Sequence, residues 1–195
     1  KTYVLGMRQE GEKEPLAWSV PLRNLLPGKQ MEAVPAATPP ETLAQEMAAL
    51  PTEQLLFQQN EMQVFIFRKS QAPRYFREVA RLRELTFRAV GEGTGRALDH
   101  DHYDDLYEHL TVWNREKQEI VGGYRIGRVD ELLDAHGEQG IYLNEFFAFS
   151  TAFWVKTHPA LELGRSFVTE AYQRNIWSLF LLWAGIGQFV LRHPH

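Results

Sequence analysis

Residues 81–128 read RLRELTFRAVGEGTGRALDHDHYDDLYEHLTVWNREKQEIVGGYRIGR, and their reading decides the fold. From Ala72 to Val90 the apolar residues Phe76, Val79, Ala80, Leu82, Leu85, Ala89 and Val90 recur at helical spacing, with Arg74, Arg77, Arg81 and Glu84 on other faces. The period predicts an amphipathic helix that Gly91, Gly93 and Gly95 end. An acidic, histidine-bearing cluster, DHDHYDD, follows. Then come two strand-like runs, Leu106 to Trp113 and Gln118 to Val129, with the polar turn Asn114–Lys117 between them. Gly122-Gly123 inside the second run predicts a bulge or a close backbone approach.

Working outward, Leu55 to Gln58 and Met62 to Phe67 read as a hairpin or two neighbouring strands. Thr38 before Pro39 and Pro40 predicts a capped short helix whose Leu43, Met47 and Leu50 share a face until Pro51. Six prolines in residues 1–40 suit an irregular lead-in, so residues 1–50 are expected to form a linker with a short helix and residues 51–195 the domain. Downstream, Asp130 is expected to cap a helix to His136 that Gly137 and Gly140 close, LELGRSFV (161–168) to form a strand, and Ile176–Arg192 a helix.

Composition narrows the function. A net charge of −4 with scattered Lys and Arg leaves no basic footprint, so no nucleic-acid partner is expected. Zero cysteines exclude disulfides, thiolate metal sites and a cysteine nucleophile, and fit a reducing, cytoplasmic setting. The uncharged stretch Ile176–Leu191 is shorter than the ~20 residues of a spanning helix and reads as a buried helix. No secretory signal opens the chain. Its first residue, Lys1, suggests a piece of a longer protein.

Over residues 60–195, the segments LTFR, DHDHYDD, EHLTVW, GGYRIGR, LELGRSFV and LFLLWAGIGQFV resemble the GNAT-fold N-acyltransferases of the hemolysin-like, ornithine-lipid type. Residues 1–60, through KTYVLG and the proline-rich stretch, resemble the segment joining such a domain to a lysophospholipid acyltransferase domain in fused bacterial proteins. The pattern is also similar to that of acyl-homoserine-lactone synthases, at Arg83, Phe87, Asp101, Asp104, Arg125, Glu162 and Arg165. The resemblance implies an α/β fold with a mixed, mostly antiparallel sheet flanked by helices, ending here after the central helix. It implies transfer of a fatty acyl group from a phosphopantetheine thioester to ornithine or a related amino acid, in lipid biosynthesis. The run Gln173-Arg174-Asn175-Ile176-Trp177-Ser178 lacks the glycines with which acetyl-coenzyme A enzymes of this fold hold a pyrophosphate. Acyl carrier protein is therefore the expected donor ahead of acyl-coenzyme A, with no tightly bound cofactor.

N-acylation needs a free amine, hence a base, and donors for the oxyanion. The resemblance makes Glu162 the base, on the same strand face as Gly164. Arg125 and Arg165 can fork onto an acceptor carboxylate, or pair with Asp101 or Glu162. Asp101 and Asp104 are expected to hold the acceptor amine or lock their loop, with His109 positioning that loop or sitting in the core. Arg83 and Phe87 complete the set as substrate-binding residues, with a solvated face the alternative for Arg83. His100 and His102 with Asp99, Asp101 and Asp104 match no metal-ligand spacing, so no metal is expected. Ser166 has no Gly-x-Ser-x-Gly surround. The aromatics of Phe146–Trp154 and Trp177–Trp183 are assigned to core packing rather than to an acyl tunnel or a membrane surface. The expected partners are acyl carrier protein and a small amine, with peripheral contact at the inner face of the membrane. The alternatives are a non-catalytic module that binds acyl carrier protein and a homoserine-lactone-type synthase.

Overall fold

The computed structural model describes residues 31–193, so the part of the expected lead-in at residues 1–30 lies outside the described residues. Helix α1 (Pro40–Ala49) starts with Pro39 at its cap position and has no side-chain cap. Thr38, expected as the cap, is used otherwise. Its N–H donates to Glu78 Oε2 at 2.8 Å, and its hydroxyl accepts from Arg77 Nη1 at 3.3 Å. The prolines at the cap and first helical positions carry no N–H to satisfy, and the Thr42 N–H donates to Pro39 O at 3.0 Å. Glu32 takes the N–H of Ala97 on its carboxylate and donates its own N–H to Gly95 O, so residues 31–50 pack on the domain.

Strands β1 (Leu55–Gln59) and β2 (Met62–Arg68) form the expected hairpin around Asn60, whose φ of 54° is the left-handed conformation asparagine tolerates. Helix α2 (Pro73–Ala89) begins with Pro73, and its first free donors, the N–H groups of Arg74 and Tyr75, are taken by Glu46 of α1. A single turn, α3 (Tyr103–Leu106), stands where the strand was expected to start; Asp101 Oδ1 accepts the Tyr103 N–H at 3.0 Å and pins the chain in a turn. Strands β3 (Glu108–Asn114), β4 (Glu119–Arg128) and β5 (Leu161–Val168) complete the sheet. Its order is β1-β2-β3-β4-β5, every pairing antiparallel among the described residues.

Helix α4 (Val129–His136) follows β4 directly. Asp130, expected as its cap, lies in its first turn without a capping bond; Arg128 holds the cap position instead, so the helix starts two residues earlier. Helix α5 (Thr151–Thr157) is capped by Ser150, and helix α6 (Ile176–Arg192) by Asn175, which accepts from the Trp177 N–H at 3.0 Å.

Two cores sandwich the sheet. On one face α1 and α2 bury Leu43, Met47, Phe76 and Val79 against Phe65, Phe67 and Trp113; on the other α6 buries Leu181, Leu182 and Phe189 against Val64, Leu110 and Val121. Gly185 lets α6 close on the sheet, since a Cβ there would lie 2.8 Å from Val64 Cγ1. The reading of α6 as a buried helix is corrected: one face is buried, while Ile176, Trp177, Phe180, Trp183 and Leu191 are exposed. Phe146, Phe147 and Phe153 are likewise exposed rather than core; Phe149 stacks on Phe153 within this surface stretch. Uniform apolarity cannot reveal which face meets the sheet. Among the described residues no helix is long and apolar enough to cross a membrane.

Candidate active site

The register places Phe67, His109, Arg125 and Gly164 in one row across β2 to β5, facing α2. Glu162, paired with Gly127 one row further along, faces the same side. Arg165 would point away in a regular strand, being three residues from Glu162. A bulge between the Gly123 and Arg125 pairings, where Arg165 adopts a left-handed φ of 49°, turns it back to that side.

The fourth wall is the loop after α2. Glu84, fully buried on that helix, accepts from Thr94 N (2.9 Å), Thr94 Oγ1 (2.7 Å), Gly95 N (2.8 Å) and Arg88 Nε (2.7 Å). Burial pushes its carboxyl up, but the bonds from Thr94, Arg88 and Gly95 outweigh that and hold it below the usual carboxylate range. The anchored loop delivers Asp99, Asp101 and Asp104 to the sheet.

There the acids meet three arginines. Arg83 Nη1 and Nη2 donate to Asp104 at 3.1 Å, and Nη2 also donates to Asp99 O at 2.5 Å. Arg125 Nη1 donates to Asp101 Oδ1 at 2.6 Å and approaches Asp104 Oδ1 at 3.4 Å. Arg165 Nη2 donates to Asp101 Oδ2 at 3.2 Å. Arg83, Arg125 and Asp104 are buried, whereas the Arg165 and Asp101 side chains retain 22% and 19% exposure and form the solvent edge of the network. Burial would raise the Asp104 pKa, but Arg83 and Arg125 overcome it and bring it to about 2. The Arg125 guanidinium also lies 5.6, 5.2 and 4.9 Å from the ring centres of Tyr103, Tyr107 and Tyr142, which cover it from water.

Glu162 sits beside this network, joined to it through the tyrosines. It accepts from the Tyr107 hydroxyl, from Leu143 N at 2.9 Å and from Tyr142 N at 3.3 Å. His109 Nε2 lies 3.1 Å from Asp104 O; a carbonyl cannot donate, so this nitrogen carries the proton. Phe87 is half-buried against the α2-side core, packed with the same cluster as Leu98. Thus Arg83, Asp101, Asp104, Arg125 and Arg165 meet directly, His109 touches the network through a carbonyl, Glu162 joins it through Tyr107 and Tyr142, and Phe87 lies in the packing behind.

Asp99, Tyr107, Tyr142 and Glu84 carry the site and were not singled out for these roles from sequence. Tyr103 and Tyr107 share a helical i, i+4 spacing within YDDLY, a local signal for a common side; Glu84 and Asp99 offer none. Among the described residues no group of three or more histidines or carboxylates is placed to hold a metal ion. Here the acidic side chains are engaged by guanidinium groups instead.

Comparison with known proteins agrees with this architecture. The chain is 39% identical to a glycine N(alpha)-acyltransferase of Phocaeicola vulgatus over 68% of its length and 44% of the relative's. It is 40% identical to a glycine N(alpha)-acyltransferase of Bacteroides thetaiotaomicron, over 68% of the chain and 43% of that protein. It is 31% identical to an L-ornithine N(alpha)-acyltransferase of Agrobacterium fabrum, over 56% of the chain and 38% of that protein. The chain thus spans less than half the length of these curated relatives. No solved structure matches it. The sequence profile of the acetyltransferase (GNAT) domain matches residues 82–184, more than half of the chain and the part that builds the sheet-and-loop site, so the chain belongs to the acetyltransferase (GNAT) domain family.

Proposed function

We propose that this chain serves an N-acyltransferase that moves a fatty acyl group from an acyl carrier protein thioester to the α-amine of a small amino acid, glycine or ornithine. The observation that carries this reading is the Arg165–Asp101 pair at the open edge of an otherwise buried ion network. An amino acid is a zwitterion. A partly exposed guanidinium and carboxylate, held by a rigid lattice behind them, offer the complementary pair of charges. The names of the relatives support an amino-acid acceptor and an N-acyl product.

In the proposed reaction the acceptor's carboxylate exchanges into the Arg165 fork, with Arg125 holding Asp101 in place. The ammonium gives its proton to Glu162, directly or through one water. The freed amine attacks the thioester carbonyl and the C–N bond forms; the C–S bond then breaks, and the leaving thiolate takes up the second proton that the nitrogen sheds in becoming an amide. Glu162 enters this role from a fixed position, since Tyr107 and the Tyr142–Leu143 backbone orient it. An apolar cavity of about 290 Å³ against Val129, Leu133, Trp154, Val155, Thr157 and His158 lies beyond the same end of β4 and suits an acyl chain. The absence of glycine from residues 173–178 supports a carrier-protein donor over coenzyme A. The exposed apolar face of α6 suits a reaction at the cytoplasmic surface of a membrane.

The test uses the full-length protein with long-chain acyl carrier protein and separate additions of glycine and ornithine, the product read by mass spectrometry. An N-acyl amino acid that falls at least ~100-fold in Glu162→Gln supports both reaction and base. A folded protein that binds acyl carrier protein yet forms no product with either amino acid favours a non-catalytic binding module instead.

A further inference from the structure

Asp99 is the least satisfied charged group in the network. Its backbone is fixed, with the N–H donating to Ala80 O at 3.1 Å and the carbonyl accepting from Arg83 Nη2. Its side chain is fully buried and points into the cluster, yet neither carboxylate oxygen has a hydrogen-bond partner among the described residues. Two guanidinium groups stand just out of bonding reach: Arg165 Nη2 is 3.6 Å from Oδ1, and Arg83 Nε is 3.8 Å from Oδ2. The Nε atoms of Arg83 and Arg165 are themselves unpartnered. Buried polar atoms usually collect partners. Here Asp99 Oδ1 has Arg165 Nη2 just beyond bonding distance, across a gap that a small rotation of Arg165 would close.

Arg165 therefore has two carboxylates available to one guanidinium: Asp101 at the solvent edge, which it bonds at 3.2 Å, and Asp99 behind it. We propose that Asp99 is the positioning residue for Arg165, a buried second seat that keeps the guanidinium in place when an incoming amino acid displaces its contact with Asp101. The inference rests on the reading of Arg165 as the group that binds the acceptor carboxylate. It explains why a residue in a left-handed backbone conformation tolerates that strain: the side chain is held from two sides and over-determined by its surroundings. Burial pushes the Asp99 carboxyl above the usual range, with Asp104 of α3 and Glu84 of α2 adding to that, while Arg83 of α2 and Arg165 of β5 pull the other way.

Asp99→Asn keeps the shape and removes the charge. In the full-length enzyme we expect the KM for the amino acid to rise about tenfold or more, while kcat and the KM for the acyl thioester stay within about twofold. A parallel cycle of Asp99→Asn, Arg165→Gln and the double variant, read by urea unfolding, should be non-additive, because the two residues share one contact. Should Asp99→Asn fail to fold, Asp99→Leu takes its place in both measurements. An unchanged acceptor KM, or additive unfolding midpoints, overturns the assignment. Failure of the wild type to acylate any amino acid refutes the acyl-transfer reading alone, and the unfolding cycle then decides the Asp99–Arg165 contact by itself.

Discussion

Arg165 combines a strained backbone with a functional side chain, and substitution separates the two. Both Arg165→Ala and Arg165→Gly lose the ion pairs to Asp99 and Asp101, but only alanine keeps the cost of a left-handed φ. Arg165→Gly should therefore be more stable than Arg165→Ala by about 1 kcal/mol in urea denaturation. His109 makes a second prediction. Full burial, with Arg83 nearby, lowers its pKa from 6.5 to about 4, so the folded protein keeps it neutral while the unfolded chain protonates it below about 6.5. A depressed folded pKa means that its contribution to stability is complete above about 6.5 and is lost as pH falls towards 4, on the order of 3 kcal/mol. His109→Phe, packed against Phe67 and Phe76, should flatten the unfolding midpoint across that interval, measured by thermal scans at stepped pH. Of the residues involved, Arg165 and Asp101 were candidates through the family resemblance, and His109 as a strand histidine beside the acidic loop or in the core. Asp99 was not, since one acid in an acidic loop looks like its neighbours until its partners are known.

The strands divide along the same line. Gly122-Gly123 announced an irregularity, and the structure has both predicted forms of it: a register shift opposite Val112 and Trp113, and a backbone approach so close that a Cβ on Gly122 would lie 2.5 Å from Phe167 O. Because the obstacle is backbone, it cannot rotate away. Gly122→Ala should cost about 2 kcal/mol, measured by urea unfolding, and should loosen the β4–β5 pairing that carries Arg125 and Glu162. The bulge at Arg165 has a fainter mark, the single Gly164 beside it, and LELGRSFV otherwise reads as a plain strand. Helix α6 shows the converse: its limits were legible from Ile176 to Arg192, but up to Leu191 it carries no charge and so has no polar face to say which side meets water.

At the scale of the molecule, the ion network ties α2, the loop with α3, β4 and β5 into one unit. Arg125 is its centre, buried between Asp101, Asp104 and three tyrosine rings. Arg125→Leu leaves those carboxylates without their shared cation and should cost about 3–5 kcal/mol of stability, detectable as a lowered thermal midpoint. By itself the sequence determined the positions of the principal helices and strands, while its resemblance to GNAT-fold N-acyltransferases implied the mostly antiparallel α/β sheet and the charged residues from which the site is drawn. The element positions follow from periodicity, turn chemistry and residue type, which act between near neighbours in the chain. Only the tertiary structure decided that Arg165 faces Asp101 from 64 residues away, that Tyr107 holds Glu162 across 55, and that the Asp99 carboxylate is buried without a hydrogen bond among the described residues. Such pairings depend on how distant segments come to share a low-dielectric interior, where each buried charge is stabilised or left unmet by whichever groups the fold brings beside it.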